Sequence, residues 1–148
     1  MSWQKTIDYV SQTCVAGHLR ILNRVVTNIY DDAFRPLGLK ISQANILIIV
    51  AQQDVTRPAE VCERLQLGAS TLSRNVERMR AKGWLEIVPS EDARTQSFRL
   101  TAQGKNLLEQ AYPLWQEAQR RAAEILGKEE IVFLNRTANK LRSAIESV

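Results

Sequence analysis

Apolar side chains recur at helical spacing along most of the chain. The range from Ser2 to Arg35 predicts one long first helix, which should end at Pro36 and Gly38 because neither residue favours continuing it. Gly17 lies in its middle and costs about 1 kcal/mol in helix propensity, so a bend or a close helix contact is expected there. The apolar positions behind this prediction are Ile7, Val10, Cys14, Ile21, Val25 and Ile29.

Two shorter helices are predicted next. The segment Ser42 to Gln52 is apolar nearly all round, which indicates a buried helix, and the Ser42 hydroxyl can cap its free amides. Pro58 suits a first helical position and opens a helix that runs to Leu65. Gly68 and Ala69 then form a tight turn before a further helix. Two short helices joined in this way predict a helix-turn-helix.

The helix after this turn has one apolar face and several polar ones. Leu72, Val76 and Met79 recur at i, i+4 and i+7, and Gly83 marks the end of the helix. The remaining faces carry Ser70, Thr71, Ser73, Arg74, Asn75 and Arg78. Short hydroxyls and arginines bind phosphate oxygens and the major-groove acceptors of guanine, so nucleic acid is the first candidate partner.

A β-hairpin is predicted directly after this helix. The segments Trp84 to Val88 and Ser97 to Leu100 have strand-like composition, and the stretch Pro89 to Gln96 between them is charged and rich in turn-forming residues. The expected inward positions are Leu85, Ile87, Phe98 and Leu100. A helix-turn-helix followed by such a hairpin is the arrangement of a winged DNA-binding domain.

Two more helices complete the chain. Thr101 can cap a helix that continues to about Leu126, where Pro113 should bend it or leave hydrogen bonds unmade. Gly127 separates it from a last amphipathic helix, predicted from 129 to 147. The predicted fold is therefore mainly α with a small β-hairpin wing: a long helix, three short helices, the hairpin and two final helices.

Composition agrees with a nucleic-acid partner without establishing one. The chain has 148 residues, enough for one domain, with 45% hydrophobic and 24% charged residues. Its net charge of +4 and pI of about 9.3 favour a polyanionic partner, although many basic proteins never bind nucleic acid. A short basic helix is itself often only a solvated surface. The positive charge indicates a DNA contact here because the helix belongs to a helix-turn-helix.

Several other classes of protein are not expected. The longest apolar stretch, Ile46 to Ala51, is too short to span a membrane, and a cytosolic location is expected. Cys14, Cys62 and His18 cannot supply four zinc ligands, and a disulfide framework is not expected in a reducing compartment. With a single histidine and no phosphate-binding glycine loop, GxSxG or HExxH motif, neither an enzyme nor a bound cofactor or metal is predicted.

Three segments resemble the MarR family of bacterial winged-helix transcription regulators. They read GLKISQANIL, AEVCERLQLGASTLSRNVERMRAKGWLEIV and DARTQSFRLTAQGKNLL. The motif residues are Asp92 and Arg94 in a D-x-R arrangement, Leu100, Thr101 and Gly104 in LTxxG, and the pair Lys82 and Gly83. The resemblance covers residues 20–108 at the level of motifs and the whole chain at the level of helix order.

The resemblance implies a homodimer that binds a pseudo-palindromic operator on double-stranded DNA, as a repressor rather than an activator. Residues 1–36 and 102–148 would then form the dimerisation helices, and residues 37–101 the winged helix-turn-helix lobe. The polar residues from Ser70 to Arg78 would enter the major groove, with either Arg74 or Arg78 on guanine and the other on phosphate. Arg94 would reach the minor groove, and Asp92 would orient an arginine rather than face DNA.

Release of DNA by a small molecule or an oxidant is also implied by the family. His18, Tyr30 and Trp115 are candidates for an effector cleft, with plain packing as the competing interpretation. Cys14 is a candidate redox thiol on the first helix, but it also falls within the apolar stripe, where a thiol acts as a small hydrophobe. Cys62 is expected to be a small core residue. The alternative function is a winged-helix protein interaction module that does not bind specific DNA.

Overall fold

The computed structural model describes residues 2–89 and 96–147, and the predicted mainly helical fold with a β-hairpin is confirmed within them. A short 3₁₀ helix, Arg35–Leu37, joins the second and third helices. The elements are α1 (Trp3–Thr13), α2 (Val15–Phe34), α3 (Ile41–Ala51), α4 (Pro58–Leu65), α5 (Ala69–Ala81), β1 (Leu85–Val88), β2 (Ser97–Leu100), α6 (Ala102–Leu126) and α7 (Lys128–Glu146).

The predicted long first helix is interrupted at Cys14 rather than bent at Gly17. Cys14 has an extended backbone (φ −67°, ψ 107°), and its Sγ accepts the Gly17 amide at 3.4 Å. The thiol thereby caps the start of α2, and Gly17 lies within the first turn of that helix. Helical periodicity on both sides of the break made the two helices look like one.

Helix α3 begins one residue earlier than predicted, and Ser42 is not its cap. Lys40 is the N-cap residue, and its own amide donates to Gln43 Oε1 at 3.1 Å. The Ile41 amide donates to the carboxylate of Asp31, on α2, at 2.8 Å. The Asp31 carboxylate, ten positions before Ile41, therefore caps the first turn of α3 in place of the Ser42 hydroxyl, because α2 places it beside that turn.

The helix-turn-helix consists of α4 and α5, and α4 has the predicted bounds. The turn differs in detail, because Gln66 adopts the left-handed conformation (φ 52°, ψ 46°) at the end of α4. Gly68 is extended (φ −72°, ψ 149°) and serves as the N-cap of α5. The predicted apolar face of α5 is confirmed, since Leu72, Val76 and Met79 are all buried.

The core lies between the end of α2, α3, the helix-turn-helix, the hairpin and the first half of α6. The two strands pair antiparallel, with Leu85 opposite Leu100 and Ile87 opposite Phe98. Thr56 adds an isolated bridge to Phe98, with both backbone hydrogen bonds at 2.9 Å. Thr56 therefore ties the entry to α4 onto the hairpin.

Helix α6 continues through Pro113 without a break. Thr101 caps it as predicted, with Oγ1 accepting the Gly104 amide at 2.9 Å while its hydroxyl donates to the Gly83 carbonyl. A β-carbon built on Gly104 would lie 2.2 Å from the Trp84 carbonyl oxygen. The LTxxG motif therefore fixes the start of α6 against the base of the hairpin.

Large apolar side chains remain exposed on the helices outside the core. Within the described ranges, α1 and α7 contain no buried residue. The exposed apolar residues on α1, α2 and α7 are Trp3, Ile7, Tyr9, Val10, Val15, Leu19, Ile21, Leu22, Val25, Val132, Phe133, Leu134 and Leu141. Apolar surface on this scale is typical of an interface.

No single helix in the described residues is long and apolar enough to cross a membrane. The segments Val15–Leu37 and Ile41–Ala51 reach such a length and hydropathy only when taken together, and they meet at an angle of 77°.

Substitution of Gly104 by alanine should destabilise the fold, because the new methyl group meets a backbone carbonyl that cannot rotate away. We expect the free energy of unfolding, measured by urea denaturation, to fall by about 1–3 kcal/mol. Gly17→Ala is the matched control: the nearest atom to its new methyl group is Cys14 Cβ at 3.7 Å. That variant should be neutral or slightly more stable, and equal losses in both would contradict this interpretation.

Candidate nucleic-acid interface

One side of α5 is polar and open to solvent. Ser70, Ser73, Arg74 and Arg78 are exposed, and Thr71 is half-buried. The opposite side is fixed in the core by the buried face already described. Since the helix is held along its length by that face, the structure presents the predicted polar side chains together on one rigid surface.

The arginines of α5 differ in whether a carboxylate lies beside them. Arg80 lies 3.7 Å from the carboxylate of Glu77, one turn before it. The ion pairs formed among the described residues include neither Arg74 nor Arg78. Both guanidinium groups are therefore presented to solvent one helical turn apart, as groups that bind an external anion would be.

Asn75 is half-buried, and its role differs from that of its neighbours. Its Nδ2 donates to the Thr71 backbone carbonyl at 3.1 Å, within the helix. One of its two amide donor hydrogens is thus used internally. The side chain still belongs to the predicted set, but its Oδ1 and the second hydrogen are what it offers to a ligand.

Arg57 is a basic residue beside this surface that the sequence did not single out. It is exposed at the N-cap position of α4. Together with Pro58, Ser73, Val76 and Phe98 it lines an open groove between the helix-turn-helix and the hairpin. A basic residue directly before the first helix of a helix-turn-helix was the available signal, because in DNA-binding proteins of this type that helix crosses the DNA backbone.

The described part of the wing carries charges of both signs. Glu86 on β1 lies opposite Arg99 on β2, and Oε1 accepts from Arg99 Nε at 2.9 Å. Asp92 and Arg94, the two residues of the D-x-R motif, lie outside the described residues. Their predicted roles therefore remain predictions from sequence.

A second, apolar pocket lies between α3 and α6, away from the polar face of α5. It has a volume of about 270 Å³, and Phe34, at the end of α2, contributes to its wall. Trp115, one of the predicted cleft residues, lines it and stacks on Tyr112, with ring centroids 6.1 Å apart and planes at 12°. Its lining residues are Phe34, Ile41, Ala44, Asn45, Ile48, Leu108, Ala111, Tyr112 and Trp115.

The other two predicted cleft residues lie elsewhere. His18 is exposed on the second turn of α2. Tyr30 packs against Phe34 with ring centroids 6.4 Å apart, and its hydroxyl donates to Gln119 Oε1 on α6. Burial raises the pKa of the Tyr30 hydroxyl, which keeps it protonated as a donor. Of the described residues, those that line the apolar pocket thus include Trp115 but neither His18 nor Tyr30.

The two cysteines occupy different settings. Cys14 is half-buried at the break between α1 and α2, where its thiol caps α2. Cys62 is half-buried on α4 and packs against the core, which agrees with the small core residue expected there. Among the residues that the structure describes, no group of three or more His, Cys, Asp or Glu side chains is arranged to hold a metal ion.

Comparison with known proteins identifies the family that this chain resembles. The family model described as MarR family matches residues 37–94, which include the helix-turn-helix and the first wing strand. The multiple antibiotic resistance protein MarR of Escherichia coli K12 is 23% identical over 141 residues, covering 93% of this chain and 98% of the relative.

Solved structures show the same fold over nearly the whole chain. A cysteine-to-serine mutant of E. coli MarR in complex with operator DNA matches with a TM-score of 0.78 and 21% identity, covering 90% of this chain and 96% of that one. BpsR from Bordetella bronchiseptica matches with a TM-score of 0.77 and 19% identity, covering 88% and 95%. The resemblance of this chain to the MarR family of winged helix-turn-helix regulators is confirmed by the family model and by the fold.

Proposed function

We propose that this protein is a transcription regulator that binds a specific DNA operator as a homodimer and represses the adjacent gene. One observation carries the proposal: α5 is anchored by Leu72, Val76 and Met79, and its opposite side exposes hydroxyls and two arginines outside the described ion pairs. A helix of this kind, second in a helix-turn-helix, is the element that enters the major groove.

The polar side chains of α5 suit different groups on DNA. Arg74 and Arg78 suit bidentate contacts to guanine O6 and N7 or to a phosphate, and which arginine does which stays open. The hydroxyls of Ser70, Thr71 and Ser73 suit phosphate oxygens, and the free amide atoms of Asn75 suit adenine. In the wing, Arg94 is assigned to the minor groove and Asp92 to its orientation, on the sequence motif alone.

The dimer is proposed from the exposed apolar surface. Phe133 and Leu141, on α7, are each 61% exposed, and Trp3, on α1, is 76% exposed. Covering such side chains with a second copy removes apolar surface from water, which is the main driving force for association. Residues 1–36 and 102–148 are therefore proposed as the dimerisation part and residues 37–101 as the DNA-binding lobe, although the core joins these parts into one unit.

Two of the similar proteins support DNA binding and its regulation. The E. coli MarR mutant is bound to operator DNA, and the DNA binding of BpsR is regulated by 6-hydroxynicotinic acid. In this chain the apolar pocket lined by Phe34, Tyr112 and Trp115 is the proposed place for an effector. Two arrangements of the lobes are relevant, one that can bind DNA and one that cannot. An effector releases DNA only if it binds the second arrangement more tightly than the first.

An oxidant is the second proposed signal, through the Cys14 thiol. Cys14 caps α2 at the junction with α1, so oxidation would add a new bond at the sulfur atom that accepts the Gly17 amide. The pocket favours the small-molecule signal more strongly, since it offers a formed cavity with an aromatic stack.

A protein interaction module without DNA specificity is the alternative function. Such an interaction module would not require two exposed arginines on the second helix of a helix-turn-helix.

The decisive experiment is a band-shift titration on the upstream DNA of the gene itself, repeated at several salt concentrations against random DNA. Saturable binding with a steep salt dependence is expected, and equal affinity for random DNA would refute the proposal.

Arg74→Ala should weaken operator binding by about 1–3 kcal/mol, because a contact to a base edge or phosphate is lost. Arg80→Ala is the matched control: it removes the same charge from the same helix, but Arg80 is paired with Glu77. Fluorescence anisotropy with labelled operator measures both affinities. If both variants lose the same affinity, α5 contributes only its net charge and no defined contact.

Phe133→Asp should dissociate the dimer, because a charge would be placed in the proposed apolar interface. Sedimentation velocity should show a monomer at concentrations where the parent protein is a dimer. Asn135→Asp adds the same charge to an exposed position on the same helix and should leave the dimer intact. A parent protein that stays monomeric at all concentrations would contradict this part of the proposal.

A further inference from the structure

A tight connector joins α2 to α3, and we define it as residues 35–40. It consists of the 3₁₀ helix Arg35–Leu37, then Gly38 in the left-handed conformation (φ 62°, ψ 24°), then Leu39 and Lys40. Leu39 is almost completely buried. Across this connector the chain turns by 77°. The direction of α3 relative to α2 is therefore set within six residues.

Asp31 holds the connector from the side of α2. Its Oδ1 accepts the Ile41 amide at 2.8 Å, and its Oδ2 lies 3.5 Å from Lys40 Nζ. The carboxylate side chain is largely buried, with 20% of its surface exposed. A hydrogen bond to a charged acceptor is stronger than a neutral one, so the first turn of α3 is fixed to the last turns of α2.

Lys82 holds the connector from the other side. Its Nζ donates to the Gly38 carbonyl at 2.7 Å and lies 4.6 Å from the centroid of the Trp84 ring. Lys82 is the C-cap residue of α5, and Trp84 is the buried residue directly before β1. One side chain thus joins the connector to the end of α5 and to the base of the wing.

The apolar pocket lies directly against the same connector. Phe34, the last residue of α2, and Ile41, the first of α3, both line the pocket. The connector runs between these two residues. Residues of the pocket wall thus flank both ends of the connector that Lys82 holds.

We propose that Lys82 is a positioning residue: by holding the Gly38 carbonyl and the Trp84 ring together, it fixes the direction of α5 and the wing relative to α2. This inference rests on the proposed function, in which the α2 helices belong to the dimer and the α5 helices read DNA. In such a dimer the angle between α5 and α2 sets the distance between the two reading helices, and hence the operator half-site spacing that fits.

The test compares Lys82→Met with the parent protein and with Lys105→Met. Methionine is an unbranched side chain of similar length, but it can neither donate to the Gly38 carbonyl nor place a charge over the Trp84 ring. Lys105→Met removes the same charge from an exposed position at the start of α6. Affinities are measured by fluorescence anisotropy for a series of operators whose half-site spacing differs by one or two base pairs, at several salt concentrations.

The parent protein should prefer one spacing sharply. Lys82→Met should lose about threefold to thirtyfold in affinity at that spacing, with smaller losses at its neighbours, so that the preference flattens. The slope of affinity against salt should stay unchanged, and Lys105→Met should behave as the parent. A uniform loss at every spacing with the slope reduced by about 0.9 would show that Lys82 contacts a phosphate, and would overturn the proposal, as would no change at all.

A second measurement needs no DNA and separates this inference from the proposed function. Hydrogen–deuterium exchange of the free protein should become faster at the Gly38 to Ile41 amides in Lys82→Met, but not in Lys105→Met, with the remaining core unchanged. Unchanged exchange at these amides would overturn the inference. If the parent protein binds no operator, the proposed function fails, and the exchange result still decides whether Lys82 fixes the connector.

Discussion

Helix α3 is the centre of the core, with Ile46, Leu47 and Val50 completely enclosed, and it contacts α2, α4, α6 and β2. Its one open side carries Ser42, Asn45, Ile48 and Ala51. Full burial of each such side chain contributes about 1.5–3 kcal/mol. Because the buried positions of α3 are apolar apart from Gln43, the elements packed on them must present apolar faces. The positions of the helix-turn-helix and the hairpin follow from that requirement.

The function proposed for α5 is a consequence of the same packing. Its three apolar residues at i, i+4 and i+7 are committed to the core, so the arginines and hydroxyls between them are turned outward as a group. The packing of α5 against the core is sufficient to orient these polar side chains. The contacts of Thr101 and Gly104 with residues 83 and 84 then set where the wing leaves the lobe relative to this surface.

Features that depend on local pattern were predictable from the sequence. The apolar face of α5, the bounds of α4, the strand Ser97–Leu100 and the Thr101 cap all follow from periodicity or from residues within one turn. The polar face of α5 as a candidate site follows for the same reason.

Features that depend on distant contacts were not predictable. Asp31 caps α3 from another helix, Lys82 binds a carbonyl 44 residues away, and Cys14 interrupts a stretch whose periodicity is unbroken. Trp115 lines a pocket and His18 does not, and the sequence could not separate the two, since only the folded chain shows which side of α2 faces α6.

Hydroxyl-radical footprinting of the purified protein on its own upstream DNA is the most direct test of the proposed DNA binding, because it maps the positions at which the duplex is contacted. The proposed dimer, with two copies of α5 on one operator, predicts two protected regions on one face of the DNA, related by approximate two-fold symmetry and separated by about one helical turn or a multiple of it. Protection that is absent, confined to a single region, or without preference for any site would contradict it.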